Sequence, residues 1–168
     1  MSLNAKHIIT ILIFLLLQIV WFNHMLLFGK FLPLIYIYPI LLLPIQKHEA
    51  FSILIAFFMG LFIDISLNTG GVFAATALFV VYFRKIYFLF IKNQSQDIEN
   101  ISPSELTFIV KFFYYLVFIV FSQIIIYFLE SFNIGLVFEK APILLGNTLI
   151  TLFIFLFIDI VFLNSKEA

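Results

Sequence analysis

A chain of 168 residues with 64% hydrophobic and 11% charged side chains is far more apolar than soluble domains, which have about 45–50% and about 25%. Nine basic residues balance nine acidic ones, which excludes the basic surface that holds nucleic acid. Cysteine is absent, which excludes disulfides, thiolate metal sites and thiol nucleophiles. The composition therefore predicts an integral membrane protein whose main surroundings are lipid.

Long apolar runs separated by short polar gaps predict about six transmembrane helices, because about 20 apolar residues cross the hydrocarbon core. The predicted spans are 8–28, 31–45, 51–67, 72–91, 108–129 and 143–163. A polar loop, 92–107, divides them into two halves of three spans. Membrane strands alternate apolar with polar residues over about 9–11 positions, and these runs do not. The predicted fold class is an all-α polytopic membrane helical bundle.

The first two spans contain residues that a lipid-facing helix tolerates poorly. Gln18 lies near the middle of the first span, where an unpaired amide is costly, so we expect it to hydrogen-bond to a neighbouring helix. The second span is short and contains Pro33, Pro39 and Pro44, each of which lacks an amide hydrogen and can kink or end a helix. The sequence leaves open whether this second segment crosses the whole bilayer.

The third span contains a glycine and an acid that stand out from the apolar background. Gly60 permits close approach of another backbone, and Asp64 follows one turn later. An ionisable group in hydrocarbon costs about 2.5–3.5 kcal/mol on insertion scales, which makes Asp64 and Asp159 candidate functional residues. Asp64 either serves a partner or sits at the water interface and accepts backbone hydrogen bonds from the turn of Asn68 to Gly71.

The last span carries the second acid and an asparagine. Asp159 is interpreted as an interfacial acid beside Lys166, and Asn147, which follows Gly146, as a close-packing position that bridges helices. The two acids fall at opposite faces of the predicted topology, so no acid–base pair and no enzymatic activity are expected. The sequence has no metal-ligand spacing and no phosphate-binding loop, so no metal or cofactor is predicted.

Lysine and arginine favour the cytoplasmic side of short loops, which orients the chain. An inside start places seven basic residues in the cytoplasm, namely Lys6, Lys47, Arg84, Lys85, Lys92, Lys111 and Lys166. Only Lys30 and Lys140 are then outside. Both termini and the 92–107 loop are predicted to be cytoplasmic, and the turn that contains Gly70 and Gly71 faces outward.

Several of these features recur together in one known family. They are Leu15-Leu16-Leu17-Gln18-Ile19, the second span through Pro39 and Pro44, Met59-Gly60-Leu61-Phe62-Ile63-Asp64 followed by Gly70-Gly71, and Gly146-Asn147. In their order and spacing the chain resembles, over nearly its entire length, the rod-shape-determining protein MreD family of bacteria. The most specific element is the glycine that precedes an acid by four residues, followed by a glycine turn.

The resemblance implies a non-enzymatic scaffold of the cell-elongation machinery in the bacterial cytoplasmic (inner) membrane. It implies binding of the bitopic protein MreC and coupling of MreB filaments to a RodA-type glycosyltransferase and a class B penicillin-binding protein. The family's fold is similar to the substrate-binding subunits of energy-coupling-factor transporters, so a vitamin-type transport subunit is the alternative. The residues expected to serve partner binding or packing are Gln18, Pro39, Gly60, Asp64, Gly70, Gly71, Asn147 and Asp159.

Overall fold

The computed structural model describes residues 5–23, 30–43, 45, 50–91, 103 and 106–163. Its helices are α1 (Ala5–Leu16), continued by a π-helical stretch (Leu17–Phe22), then α2 (Ile37–Leu42), α3 (Ala50–Leu67), α4 (Val72–Ile91), α5 (Phe108–Ser131), α6 (Ile134–Glu139) and α7 (Ala141–Leu163). No strand occurs in these ranges. The predicted all-α fold class is confirmed for the part of the chain that the structure describes.

Three helices are long and apolar enough to cross a membrane, namely Ala50–Leu67, Phe108–Ser131 and Ala141–Val161. Their outer faces expose large apolar side chains, such as Ile65 at 70%, Ile109 at 69% and Phe153 at 71%. A continuous apolar surface of this kind is stable in lipid or against another protein, and not in water. Length, composition and exposure are therefore consistent with a membrane protein.

Four predicted spans correspond to single helices. The runs 51–67, 72–91, 108–129 and 143–163 match α3, α4, α5 and α7, with ends that agree within two residues. The first span is helical to Phe22, and residues 24–29 lie outside the described ranges. Most of the predicted polar loop, 92–107, also lies outside them. The helix α6 lies in the region that the sequence predicted only as a connection.

The second predicted span is not one helix, which corrects the prediction of a helical crossing at 31–45. Only Ile37–Leu42 is helical, and the preceding residues are irregular or in a turn. Pro39 is the third residue of α2, where its missing amide has no intrahelical acceptor to lose. Leu43 is extended, with ψ of 135°, as the residue before a proline prefers. Residues 31–43 are called the interrupted segment below.

The helices are arranged antiparallel, so the connections fall at two ends. Tyr87, late in α4, contacts Tyr114, early in α5, at 5.5 Å between ring centroids. Asn147, early in α7, bonds to Gln123, late in α5. The turn before α4 and the helix α6 after α5 therefore share one end of the bundle, called the turn end below. The starts of α1 and α5 and the finish of α7 lie at the opposite end.

The interrupted segment lies at the centre of the bundle. Residues 33–41 are all buried, and Tyr38 packs on Phe14 of α1 and Phe155 of α7, each at 5.0 Å between ring centroids. Non-helical backbone at membrane depth is tolerated where protein surrounds it. The fold therefore places its least regular backbone where side chains from several helices can reach it.

Candidate functional site

The amides that precede α2 are bonded by a side chain of the first helix. Gln18 is fully buried in the π-helical stretch, and its Oε1 accepts from the backbone amides of Ile35 at 2.9 Å and Tyr36 at 3.3 Å. Its Nε2 donates to Asn23 Oδ1 at 3.0 Å. Buried amides that lack a helical partner need such acceptors. Gln18 thus bridges two elements as predicted, although its partner is irregular backbone and not another helix.

Two side chains of α7 accept hydrogen bonds from backbone amides nearer the N-terminal end of the interrupted segment. Asn147 Oδ1 accepts from the Leu32 amide at 2.8 Å, and Thr151 Oγ1 accepts from the Leu34 amide at 3.2 Å. A side chain at Gly146 would place its Cβ 2.1 Å from the ring of Phe31. The pair Gly146-Asn147 therefore lets the segment lie against α7 and supplies one of its acceptors.

The C-terminal carbonyls of α2 are bonded by side chains of α4 and α5. Arg84 Nη1 donates to the carbonyls of Ile40 and of Leu43, the latter at 2.8 Å, and Tyr114 Oη donates to Leu41 O at 3.0 Å. A cation at a helix C-terminus also stabilises the helix dipole. Arg84 is fully buried, so counting it among cytoplasmic loop charges was wrong.

Asp159 also bonds to the interrupted segment, and the side chains that do so are called the frame below, namely Gln18, Arg84, Tyr114, Asn147, Thr151 and Asp159. Its interpretation as an interfacial acid stays a prediction. Its carboxylate is buried and accepts from Tyr38 Oη at 2.6 Å and from Tyr115 Oη at 3.0 Å. Lys111 Nζ lies 3.9 Å from Asp159 Oδ2, which supplies the compensating charge that a buried acid requires. The expected neighbour, Lys166, lies outside the described residues.

Asp64 belongs to a separate arrangement, the hairpin of α3 and α4. Its carboxylate accepts from the backbone amides of Phe73 at 3.0 Å and Ala74 at 2.8 Å and from Thr69 Oγ1 at 2.5 Å. The first amides of a helix lack intrahelical acceptors, and a negative charge there also stabilises the helix dipole. Asp64 is buried, so it caps α4 and presents no carboxylate to a partner directly. Of the two hypotheses for Asp64, the structure agrees with backbone bonding but not with the predicted donors: both amides belong to the first turn of α4, and the turn of Asn68 to Gly71 contributes only the Thr69 hydroxyl.

The lack of a side chain at Gly60 lets α4 come close enough for Asp64 to reach the amides of Phe73 and Ala74. A Cβ at Gly60 would lie 2.4 Å from the Cα of Ala74, so the backbones of α3 and α4 are in direct contact, as predicted. The connecting turn uses left-handed backbone at Gly70, with φ of 66°, and at Gly71, with φ of 103°, conformations that glycine adopts without strain. Gly60, Asp64 and the glycine turn thus form one structural unit, the α3–α4 clasp.

The predicted site residues therefore fall into two groups that no hydrogen bond joins directly among the described residues. Gln18, Pro39, Asn147 and Asp159 surround or belong to the interrupted segment, and the other four residues form the α3–α4 clasp. Sequence reasoning missed the partners on the opposing helices, which are Tyr38, Arg84, Lys111, Tyr114, Tyr115 and Thr151. An arginine inside a long apolar run was the one signal that could have pointed to the frame.

The chemistry of both groups is hydrogen bonding to the chain's own backbone and side chains. Within the described residues, no group of three His, Cys, Asp or Glu side chains could hold a metal ion. A cavity of about 60 Å³ lies at the turn end between the interrupted segment, the start of α4, α5 and α7. Its polar lining consists of Gln123, Tyr127, Glu130 and Asn147.

Comparisons with protein-family models, with curated proteins and with solved structures find no match to this chain. Its function is therefore argued from its residues and their geometry.

Proposed function

We propose that this chain is a non-enzymatic scaffold of the bacterial cell-elongation machinery, of the MreD type, in the cytoplasmic membrane. Its proposed partners are MreC, MreB filaments, a RodA-type glycosyltransferase and a class B penicillin-binding protein, within membrane lipid. The observation that carries the proposal is Gly60-x-x-x-Asp64 before Gly70-Gly71, the most specific part of the family resemblance. These residues form one structural unit, the α3–α4 clasp, which gives the motif a physical purpose.

The proposed topology has six crossings, made by α1, the interrupted segment, α3, α4, α5 and α7. The interrupted segment runs beside α7, since Leu32 bonds to Asn147 and Tyr38 bonds to Asp159. Those two α7 residues are 12 positions apart, which is about 18 Å along a helix. The segment therefore covers more than half of a hydrocarbon core of about 30 Å, which supports a crossing.

The proposed orientation places the turn end outside and both termini in the cytoplasm. With Arg84 removed from the seven inward basic residues, six remain against Lys30 and Lys140 outside. The bias that sets orientation is still present, because it depends on charges in short loops and near helix ends. Asp159 and Lys111 then lie toward the cytoplasm.

A scaffold needs a rigid surface more than a reactive site, and both polar groups support that role. Gln18, Asp64, Asn147 and Asp159 direct their polar atoms into internal hydrogen bonds. The outer faces carry large apolar side chains, which a partner helix can pack against in lipid. Partner binding in this proposal comes from packing on a surface that the buried frame holds in one shape.

Depletion of the chain in its native bacterium tests the function. The proposal expects rod-shaped cells to become round, and MreC to co-purify with the tagged chain from detergent extracts. Asp64→Ala should reduce MreC capture by loosening the turn end, whereas Glu130→Ala, which removes an exposed acid from the same end, should not. Normal rods together with a co-purified ATP-binding subunit would refute the scaffold.

A vitamin-type transport subunit is the second candidate, favoured by one observation. Transporters build substrate sites at discontinuous helices, and the interrupted segment borders the cavity at the turn end. Pockets for such ligands measure about 300–1,000 Å³, whereas this cavity measures about 60 Å³. The volume ranks transport second, and saturable binding of a radiolabelled vitamin by the purified chain would reverse the ranking.

A further inference from the structure

The hydrogen bonds around Asn147 have a direction that the backbone imposes. The Leu32 amide can only donate, so the atom of Asn147 that faces it must be Oδ1, at 2.8 Å. The other side of the Asn147 amide is then Nδ2, which donates to Gln123 Oε1 and to Tyr127 Oη, each at 3.2 Å. Gln123 must therefore turn its oxygen toward Asn147 and its Nε2 group away from it.

With the bonds in this direction, Gln123 Nε2 and Tyr127 Oη do not donate to any atom within this group of hydrogen bonds. Gln123 is 2% exposed, and its Nε2 has no acceptor among the described residues. Tyr127, which is half-buried, accepts from Asn147 through Oη and keeps its own hydroxyl hydrogen available to donate. Buried donors in native proteins are almost always paired. An acceptor beside Gln123 and Tyr127 would complete the network.

Both donors belong to residues that line the turn-end cavity, which has room for a small acceptor. The cavity measures about 60 Å³, and one enclosed water needs about 10–15 Å³. The space therefore accommodates a group of a few non-hydrogen atoms and excludes a vitamin. Apolar side chains, including Leu34 and Ile126, form the remaining walls.

The charges of the residues that line the turn-end cavity indicate which kind of hydrogen-bond acceptor it can hold. The two donors are a neutral amide and a neutral phenol, and no basic residue is among the described residues that line the cavity. Glu130, at its rim, carries the only formal charge in that lining. An anion buried without a paired cation is strongly disfavoured, and Glu130 adds repulsion. A neutral acceptor such as a carbonyl oxygen fits this environment.

We propose that the turn-end cavity binds a neutral carbonyl group, which accepts hydrogen bonds from Gln123 Nε2 and Tyr127 Oη. Two sources have this chemistry, the ester carbonyl of a phospholipid and a free small amide. Glu130 and Lys140 are exposed, and in the proposed topology, on which this step rests, such charges lie near the membrane–water boundary, which is also the depth of lipid ester groups. Lys140 itself lies over the ring of Tyr127, with Nζ 5.2 Å from the centroid, and does not line the cavity.

Nuclear magnetic resonance of the side-chain amides tests this proposal on the full chain. The protein is labelled with ¹⁵N-glutamine and placed in bicelles of diester phosphatidylcholine or of its diether analogue, which lacks ester carbonyls. The Gln123 signal is identified by its loss in Gln123→Met. A lipid carbonyl predicts a downfield shift of the Gln123 Nε2 protons in the diester bicelles relative to the diether bicelles.

A second titration distinguishes the other source. Acetamide added to the diether sample should give a saturable downfield shift of the same signal if the cavity takes a free small amide, and acetate should give none. Tyr127→Phe, which removes the second donor, should weaken whichever response is seen. If neither the ester lipid nor acetamide moves the Gln123 signal, water alone satisfies the donors and the proposal is overturned.

Discussion

Replacing Asp64 with alanine removes the shared acceptor of two backbone amides at the start of α4. The amides of Phe73 and Ala74 bond to Asp64 at 3.0 Å and 2.8 Å, and both of these residues are buried. Leaving one buried donor unsatisfied costs about 1–3 kcal/mol. Two such donors cost about 2–6 kcal/mol on that scale, and removing a buried carboxylate recovers part of the loss. We expect Asp64→Ala to lower the free energy of unfolding by about 2–4 kcal/mol.

Two further variants separate the cap from the hydroxyl contact. Asp64→Asn keeps one oxygen acceptor but turns an amide toward the second donor, so it should be destabilising to an intermediate degree. Thr69→Val removes only the donor at 2.5 Å from Asp64 and leaves both amides bonded, so it should cost about 1 kcal/mol. Reversible unfolding in mixed micelles of mild detergent and dodecyl sulfate, followed by circular dichroism, measures the three differences. The cap is refuted if Asp64→Ala is no more destabilising than Thr69→Val.

The same unfolding assay checks four more expectations. Tyr38→Phe should cost about 1.5–3 kcal/mol, because its hydroxyl bonds to a carboxylate. Tyr36→Phe should be neutral or stabilising, because the buried Tyr36 hydroxyl has no partner among the described residues, and equal losses for the two would contradict this account. Gly60→Ala should cost about 1–3 kcal/mol from overpacking, while Gly135→Ala, at an exposed position, should cost less than half as much. Arg84→Leu should lower the unfolding midpoint by removing the side-chain donor to the carbonyls of Ile40 and of Leu43, the C-cap of α2, and an unchanged midpoint would exclude that role.

Continuous hydrophobicity was enough to predict most helices of this chain. The runs that became α3, α4, α5 and α7 have no internal proline except Pro142, which stands in the first turn of α7, where it is tolerated. The closeness of Gly60 and Asp64 to the next helix was also predictable. The two residues are one turn apart, and a short turn returns the chain beside them.

The hydrogen bonds between the frame and the interrupted segment could not be predicted from the local sequence pattern. Leu32 bonds to a residue 115 positions away, and Tyr38 to one 121 positions away. Hydrophobic periodicity reports which face of an element is apolar, and it carries no information about which distant side chain meets an irregular amide. Arg84 was misplaced for the same reason, because its carbonyl partners lie in a segment whose break the periodicity did not locate.

The distances along the chain within this frame also set an order of assembly. The interrupted segment leaves the ribosome long before α7, since residues 43 and 163 are 120 positions apart. Synthesis at about 5–20 residues per second separates the two by about 6–24 seconds. During that interval the amides of Leu32 and Leu34 lack the acceptors that α7 later brings. The nascent protein must therefore keep this stretch hydrated or sheltered until α7 inserts, so a helix that is made much later completes the packing of the interrupted segment.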